Sequence, residues 1–391
     1  MTTPNHEQQA RDLFASYDSF RLVDIRARRF SQAEMLGRIN TLNSGNLFVS
    51  TVIGKSSEGR PISILKAGGG ETRVLLWSQM HGDESTATMA LLDILNFLGK
   101  CSDHPIARTI RKNLTLLLIP MLNPDGAERY RRRTSQQIDM NRDALALQSP
   151  EARLLKSAQD EYRPHFGFNL HDQEPHYTVG FSRNISAIAL LAPPVDERRT
   201  DDAVRTRAKH VAARLAGTMR LFIPDNLAKW DDTFEPRAFG ENMQRWGTST
   251  VLIESGGWPN DPEKMYLRKL NFVGILDALG AIADGSYAQS AVDDYESIPF
   301  NSKNGFDLII RNVQFRPNEH GSAVRVDVGI NFSDRVDAAG RREVVGTVAD
   351  IGDLHTFGAL EERDGRGKSL DSSLVSLDKQ LTPQEISRLG S

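Results

Sequence analysis

The sequence predicts an α/β protein with a mixed, mostly parallel central sheet and helices on both faces. Apolar runs with the length of buried strands alternate with stretches of helical periodicity between residues 46 and 283. Polar side chains follow directly where several of these runs end. Beyond residue 303, residues 324–330 alternate strictly between apolar side chains and other residues, which predicts a strand in a small β-rich C-terminal domain.

The predicted elements follow from this pattern in chain order. Residues 1–45 carry apolar positions at helical spacing and are interpreted as an N-terminal helical segment. Residues 46–283 form the main domain, 284–303 a linker rich in Ser, Asp, Asn and Gly, and 304–391 a β-rich module with a polar, loosely packed tail. Within the main domain, strands are predicted at 48–53, 62–66, 73–80, 114–120, 166–170 and 250–253, helices at 87–98, 204–219 and 267–282, and a turn at 123–126.

The composition limits the classes of function. The 391 residues carry a formal net charge of -3, which gives no reason to expect a nucleic-acid partner or a membrane surface. No apolar stretch is long enough to span a bilayer, and the first residues lack the pattern of a secretory signal. We therefore expect a cytoplasmic protein. Because Cys101 is the only cysteine, a bound metal would need histidine and carboxylate ligands.

Four chemically active residues lie where predicted strands end, and sites in open α/β sheets form at such ends. His81 and Glu84 follow one strand, and Gly82 between them allows a tight turn, so that an imidazole and a carboxylate can reach one zinc ion. His171 follows another strand and Glu254 a third. Partial desolvation at a strand mouth raises the pKa of a carboxyl group such as Glu254 and suits it to proton transfer.

Each of these features also has a plainer interpretation. The acidic residues after His81 favour the positive end of a helix dipole. A histidine at a strand end is often satisfied by neighbouring polar groups, and Glu254 could simply face water. Asp172 is a candidate to accept the second ring N–H of His171 and so fix its tautomer. Residues 131–133 with Asn141 and Arg142 offer cations and an amide for carboxylates or oxyanions, or else form a solvated basic loop.

With these residues in order, the sequence resembles the zinc carboxypeptidase family, the metallocarboxypeptidases with a funnel-shaped site, as an atypical member of bacterial type. The similarity covers roughly residues 47–282. It depends on ordered elements, which are Ile53-Gly54-Lys55-Ser56, Glu58-Gly59-Arg60-Pro61-Ile62, His81-Gly82-Asp83-Glu84, Asn123-Pro124-Asp125-Gly126, Asp139-Met140-Asn141-Arg142, Leu170-His171 and Ile253-Glu254.

The resemblance implies a role for each candidate residue. His81, Glu84 and His171 would bind one zinc ion, and Glu254 would act as general base and then general acid. Asn141 and Arg142 would hold the substrate's terminal carboxylate. Arg132 would polarise the scissile carbonyl, although Arg131 or Arg133 could take that role if the alignment shifts by one residue.

The sequence also departs from the family. Many members carry a mobile tyrosine between the third zinc ligand and the catalytic glutamate, whereas here the interval holds only Tyr177, close to His171. Phe234, Phe239 and Trp246 stand around the expected place. Asp83 also occupies a position within the His-x-x-Glu motif at which many digestive members have an arginine.

The most favoured function is therefore zinc-dependent removal of C-terminal residues from peptides. One alternative is a zinc deacylase acting on N-acyl amino acids, similar to aspartoacylase. The other is a binding module on the same scaffold without catalysis. The expected partners are a peptide or N-acyl amino acid substrate, with no nucleic acid or membrane, and an oligomer could form through the C-terminal module.

Overall fold

The computed structural model describes residues 6–316, 320–336, 342–371 and 373–389. The ends of the predicted N-terminal segment and C-terminal tail, at residues 1–5 and 390–391, lie outside these ranges. The strands are β1 (Phe48–Lys55), β2 (Pro61–Gly68), β3 (Thr72–Trp77), β4 (Leu114–Ile119), β5 (Phe166–Asp172), β6 (Thr178–Val179), β7 (Ile188–Leu191), β8 (Leu227–Lys229), β9 (Ser249–Ser255), β10 (Asn301–Ser302), β11 (Gly305–Phe315), β12 (Val324–Val336), β13 (Arg342–Gly352), β14 (Gly358–Asp364) and β15 (Gln380–Leu381). The helices are α1 (His6–Ser16), α2 (Gln32–Leu42), α3 (Thr86–Lys100), α4 (Pro105–Asn113), α5 (Pro124–Arg129), α6 (Pro150–Tyr162), α7 (Ala203–Arg220), α8 (Phe239–Arg245), α9 (Met265–Asp284), α10 (Asp293–Glu296) and α11 (Pro383–Arg388).

The chain forms two compact units. The first comprises Met1–Gln173, Ile188–Ser255 and Asp261–Pro299, and the second comprises Glu174–Ala187, Gly256–Asn260 and Phe300–Ser391. The boundaries expected from the sequence, at residues 45, 283 and 303, stay predictions. Among the helices of the described ranges, none is both long and apolar enough to cross a membrane.

The first unit is built on a mixed sheet, and this confirms the predicted fold class. Among the described residues, eight strands follow the order β1-β2-β4-β3-β5-β9-β7-β8. The neighbours β4, β3, β5 and β9 run parallel, whereas β1 and β2 pair antiparallel at one side and β7 pairs antiparallel with β9. The apolar residues 74–77 of β3 and all of β4 are buried because helices cover both faces of these strands.

Helices on the two faces of the sheet are held by different apolar clusters. On one face, β2, β3 and β4 contribute to a core that also contains residues of α6 and α8, among them Leu155, Phe239 and Met243. The helix α9 packs against both α3 and α7, and α7 also contacts β9. The sheet's carboxyl edge is therefore supported from both sides, which keeps the loops that leave it in defined positions.

A buried ion pair between α3 and α9 binds the N-terminal residues to these two helices. Asp93 in α3 is fully buried and accepts hydrogen bonds from the Tyr17 hydroxyl at 2.7 Å and the Leu22 backbone N–H at 2.8 Å. Arg268 in α9 contacts the same carboxylate through two nitrogens at 2.6 and 2.7 Å. The Arg268 guanidinium also donates to the carbonyls of Leu22 and Ile25. All members of the network thus have partners, which offsets the cost of burying their charges.

The second unit contains a separate sheet in the order β14-β11-β12-β13-β15, as found among its described residues. The strands β11, β12 and β13 pair antiparallel and confirm the predicted β-rich texture. The expectation of a loosely packed tail is wrong for the part of the chain that is described. Val375, Leu381, Ile386 and Leu389 are buried in the core of this sheet, and a capping box begins α11. These apolar residues are too widely spaced to form a periodic pattern in the sequence.

Candidate metal centre and active site

A glycine-dependent turn after β3 brings His81 and Glu84 to the edge of the sheet. A Cβ atom on Gly82 would lie 2.1 Å from the carbonyl carbon of Gly126, so only glycine fits this close backbone approach. The Asn123 side chain caps α5 by accepting the Gly126 N–H at 2.9 Å and donates to the Met80 carbonyl. The predicted turn at 123–126 is thus the start of a helix, and it supports the loop that carries the two candidate ligands.

Three candidate ligands meet at this edge. His81, Glu84 and His171 are buried, with relative exposures of 1%, 7% and 2%. The Nδ1 atoms of both histidines lie 2.7 Å from the Glu84 carboxylate and 3.2 Å from each other. Each of the three residues offers one ligand atom, and these three atoms all lie within 4.8 Å of one another. His81 and Glu84 are three residues apart in the sequence, and His171 lies 87 residues after Glu84. The fold therefore brings a distant histidine to the His81–Glu84 pair.

Asp139 orients His81, a role that the sequence interpretation missed. Its Oδ1 atom lies 3.1 Å from His81 Nε2, so that the imidazole presents Nδ1 toward Glu84. Burial opposes the ionised form, but the contacts with His81 and with the Arg132 guanidinium hold the pKa of Asp139 well below its usual range. Asp139 also accepts the backbone N–H of Asn141 at 3.0 Å, and its position two residues before Asn141 does not by itself indicate the contact with His81.

Asp172 does not orient His171, contrary to the expectation from the sequence. Its carboxylate accepts a hydrogen bond from the Thr86 hydroxyl at 2.7 Å and lies 3.3 Å from Lys264 Nζ. The reason is the alternation of a β-strand, which directs neighbouring side chains to opposite faces. The Nε2 atom of His171 is buried and has no hydrogen-bond partner among the described residues.

Glu254 lies directly beside His171, because β9 and β5 run parallel with these two residues in register. The carboxyl group is buried at 7% exposure, and its Oε2 atom has no hydrogen-bond partner in the described part of the chain. Burial raises the pKa of Glu254 well above its ordinary value, and the Glu84 and Asp172 carboxylates raise it further. The group is therefore poised to bind a proton.

Arg132 is the member of the arginine run that contacts the ligand cluster. Its guanidinium lies 3.1 Å from the carboxylates of both Glu84 and Asp139. Arg133 instead donates to the Gln137 carbonyl at 2.9 Å, and Arg131 is exposed. The Arg132 side chain is 45% exposed, so it borders the cluster while staying open to solvent.

Asn141 and Arg142 lie on a short 3-10 turn, Met140–Arg142, that follows Asp139. The Asn141 side-chain oxygen accepts the Phe239 N–H at 2.9 Å and so fixes the start of α8, which leaves its amide N–H groups to donate. Arg142 is 39% exposed and pairs with Glu235 at 3.2 Å. The Asn141 amide and the Arg142 guanidinium are thus two hydrogen-bond donors on the turn that directly follows Asp139.

The aromatic residues considered for a mobile lid have different positions. Phe239 is fully buried, and Trp246 packs edge-on against it in the core below α8. Phe234 is half-buried. Tyr177 belongs to the second unit, where Lys303 lies over its ring. Phe239 and Trp246 therefore serve as core residues.

The family model described as zinc carboxypeptidase matches residues 35–179, a span that contains the three clustered ligands and Asp139. This match covers less than half of the chain and shows that this part is similar to the zinc carboxypeptidase family. Among relatives of this family, carboxypeptidase 2 of Trichophyton rubrum is 25% identical over 293 residues, which are 70% of this chain and 52% of that protein. A probable carboxypeptidase 2 of Trichophyton verrucosum is 26% identical over 174 residues, or 42% of this chain and 33% of that protein. The chain thus spans about half or less of the length of these relatives.

Solved carboxypeptidase structures share the fold over about two thirds of this chain. The metallo-carboxypeptidase of Burkholderia cenocepacia superposes with a TM-score of 0.54 at 17% identity, covering 66% of this chain and 70% of the other. Carboxypeptidase A of Helicoverpa armigera gives a TM-score of 0.51 at 15% identity. At these identities the likeness establishes the architecture alone.

The matched family implies zinc, and the clustered residues fit that ion. Two imidazoles and one carboxylate are ligands that zinc accepts at catalytic sites, where a fourth position stays open. Two ligand atoms on a tetrahedral zinc ion are separated by about 3.3 Å, close to the 3.2 Å between the Nδ1 atoms of His81 and His171. Their burial and the carboxylate behind His81 match the surroundings of a metal-binding histidine. The cluster could therefore hold a metal ion.

Proposed function

We propose that this chain is a zinc-dependent metallocarboxypeptidase that removes C-terminal residues from peptides. The observation that carries the proposal is the meeting of His81, Glu84 and His171 at the sheet edge, directly beside the buried carboxyl group of Glu254. A set of metal ligands next to a group suited to proton transfer is an arrangement that supports amide hydrolysis.

His81 and His171 would hold zinc through Nδ1, and Glu84 through its carboxylate. Once bound, the ion supplies Lewis acidity that lowers the pKa of water and polarises a carbonyl oxygen. Asp139 keeps His81 in the orientation and tautomer that this requires, since its carboxylate contacts the other ring nitrogen.

Glu254 would accept a proton from the attacking water and pass it to the departing amine. Its Oε2 atom has no hydrogen-bond partner among the described residues, so the oxygen is free to take a proton. The pKa of Glu254 is raised above its ordinary value, and a carboxyl group with a raised pKa both accepts and returns a proton more readily near neutral pH.

Arg132, Asn141 and Arg142 would bind and orient the substrate. Arg132 lies next to Glu84, where its guanidinium can stabilise negative charge that develops on the carbonyl oxygen. The Arg142 guanidinium and the Asn141 amide would hold the terminal carboxylate, with the substrate competing with Glu235 for Arg142. Holding the peptide by its end converts binding energy into orientation of the scissile bond.

Replacement of Glu254 by glutamine tests the proposal. We expect zinc content equal to that of the wild type by elemental analysis, and kcat lower by at least about 100-fold on blocked peptides. Glu197→Gln, which removes an exposed carboxylate, serves as the control and should leave kcat unchanged.

Two results would count against the function. A zinc-loaded Glu254→Gln protein with full activity would remove Glu254 from its role. A wild-type protein that holds no zinc, and whose stability and turnover do not respond to added zinc, would refute the hydrolase itself. Parallel assays on N-acyl amino acids distinguish a peptidase from a deacylase.

A further inference from the structure

A buried lysine joins the ends of the two strands that carry His171 and Glu254. The Lys264 Nζ atom donates to the backbone carbonyl of Ser255 at 2.9 Å and lies 3.3 Å from the Asp172 carboxylate. Ser255 directly follows Glu254 on β9. Asp172 directly follows His171 on β5 and is paired in register with Ser255. Lys264 therefore contacts the residue next to the candidate base and the residue next to a candidate ligand.

The position of Lys264 costs free energy in two ways. The residue is only 7% exposed, and a buried ammonium group loses the water that would stabilise its charge. Its backbone has a φ of 56°, in the left-handed region, at the residue that precedes α9. Strained backbone of this kind persists where the surrounding contacts require it, and it is often found at functional sites. The contacts of the ammonium group therefore explain why a lysine occupies this position.

The Glu254 side chain lacks an anchor on one of its oxygens. Its Oε2 atom is buried and has no hydrogen-bond partner in the described part of the chain. The position of that oxygen beside His171 consequently depends on the backbone of β9 around Glu254. Since β9 ends at Ser255, the last carbonyl of the strand is the one that accepts the hydrogen bond from Lys264.

Asp172 is itself fixed relative to the loop that carries the candidate ligands. Its carboxylate accepts a hydrogen bond from the hydroxyl of Thr86, the first residue of α3, at 2.7 Å. Its backbone N–H donates to the Glu84 carboxylate at 3.2 Å. The ammonium group of Lys264 is therefore paired with a carboxylate whose position is determined by the same elements that position Glu84.

We propose that Lys264 is a positioning residue for Glu254, which holds the end of β9 through the Ser255 carbonyl and so keeps the Glu254 carboxylate beside the candidate metal ligands. This inference rests on the proposed hydrolase function. Lys264 acts through the backbone and does not touch the substrate, and Asp172 supplies the counter-charge that its burial requires. Placement matters because a displacement of about 1 Å can lower a rate about 100-fold.

Three variants separate positioning from stability, namely Asp172→Asn, Lys264→Met and the two changes combined. Each single variant leaves one buried charge unpaired and should lower the free energy of unfolding, whereas the double variant should recover much of that loss. The Ser255 carbonyl loses its donor only in the two variants without Lys264. In those two we expect kcat of the zinc-loaded protein on blocked peptides to fall about 10-fold to 100-fold with KM little changed, whereas Asp172→Asn should keep kcat close to the wild-type value.

The double variant also limits the change in charge at Glu254. Burial is the main cause of the raised pKa of Glu254, Asp172 raises that pKa further, and Lys264 lowers it. Removing both charges therefore removes two opposing effects on the base together with the hydrogen bond to Ser255. A low kcat in the double variant would thus be due to the lost hydrogen bond.

A purely structural role of Lys264 predicts a different pattern, in which kcat follows stability. Recovery of kcat in the double variant, or full activity of Lys264→Met, would overturn the proposal. Zinc content should equal that of the wild type, and a loss of zinc in the two variants without Lys264 would also overturn it, because the effect would then lie on the ligands. Lys229→Met is the matched control, since Lys229 is a buried lysine that likewise bonds to one carbonyl and one carboxylate, both of Glu296. It should lower stability and leave kcat unchanged.

Amide hydrogen exchange of the purified protein tests the same contact without turnover. Proteolytic fragments that cover residues 252–256 should exchange about threefold to tenfold faster in the double variant than in the wild type, whereas fragments that cover residues 114–119 should exchange equally. Equal exchange of residues 252–256 in the two proteins would overturn the positioning role whether or not any peptide is cleaved. A wild-type protein that cleaves no peptide but shows the expected difference would refute the proposed function alone.

Discussion

Replacing Asp139 with asparagine tests whether the carboxylate behind His81 sets the affinity for zinc. Asp139 contacts His81 Nε2 at 3.1 Å, the Arg132 guanidinium at 3.1 Å and the Asn141 backbone N–H at 3.0 Å. Asparagine keeps the shape and one acceptor oxygen, but it loses the charge and presents an N–H group to one of these donors. We therefore expect the imidazole of His81 to be less firmly oriented in the variant.

The expected loss follows from what such partners contribute elsewhere. Removing the carboxylate that orients a metal-binding histidine typically weakens metal binding about 10-fold to 100-fold. This corresponds to about 1.4–2.8 kcal/mol of binding free energy at 25 °C. Competition for zinc against a chelator of known affinity measures the change, and the melting temperature of the zinc-free variant checks that it folds.

Asp172→Asn is the matched control, because it removes an equal charge close to the same cluster. Its carboxylate contacts Thr86 and Lys264 rather than a ligand histidine. A general electrostatic effect should therefore weaken zinc binding equally in both variants, whereas orientation of His81 affects the Asp139 variant alone. Equal affinities of the two variants for zinc, or a larger loss for Asp172→Asn, would refute the role of Asp139.

Three further changes test other parts of the first unit. Gly82→Ala puts a Cβ 2.1 Å from the nearest backbone atom of α5, so we expect the free energy of unfolding, measured with denaturant, to fall by about 2 kcal/mol or more. The control Gly37→Ala, whose added Cβ has no atom within 4 Å, should not lower the free energy of unfolding. Lys264→Met leaves the buried Asp172 carboxylate without its cation and should cost about 3 kcal/mol, a loss that should shrink in an Asp172→Asn background if the pair is responsible. Burial raises the pKa of Glu241 from 4.5 to about 7, so the folded state holds a proton that the unfolded state releases, and the free energy of unfolding of the wild type should fall relative to that of Glu241→Gln as pH rises from 4.5 to 7. The full difference is about 3 kcal/mol, and parallel curves for the two proteins across this range would contradict it.

The central fold could be predicted because its strands are continuous apolar runs. Residues 74–77 and Leu114–Ile119 are buried on both faces, and such runs stand out in a sequence. Short elements were missed for the opposite reason. Ile188–Leu191 and Leu227–Lys229 have too few residues to show a period, and their pairing within the sheet depends on contacts distant in sequence.

The candidate site divides in a similar way. The positions of His81, His171 and Glu254 at strand ends were enough to predict that they converge, because parallel strands deliver their carboxyl ends to one edge. The partner of His81 was not predictable from spacing, since Asp139 lies 58 residues away and reaches the imidazole only through the tertiary fold. Lys264 likewise looks like an ordinary surface lysine in the sequence until its contact with the Ser255 carbonyl is seen.

The buried pair of Asp93 and Arg268 determines where the first unit can be shortened. A chain trimmed to begin at residue 35, where the family match starts, would lose the Tyr17 hydroxyl and the backbone groups of Leu22 and Ile25. Each buried group left without its partner costs about 1–3 kcal/mol, and a whole domain is stable by only about 5–15 kcal/mol. The segment ahead of the matched region thus stabilises the ion pair between α3 and α9. The shortest fragment able to fold by itself must therefore retain this segment.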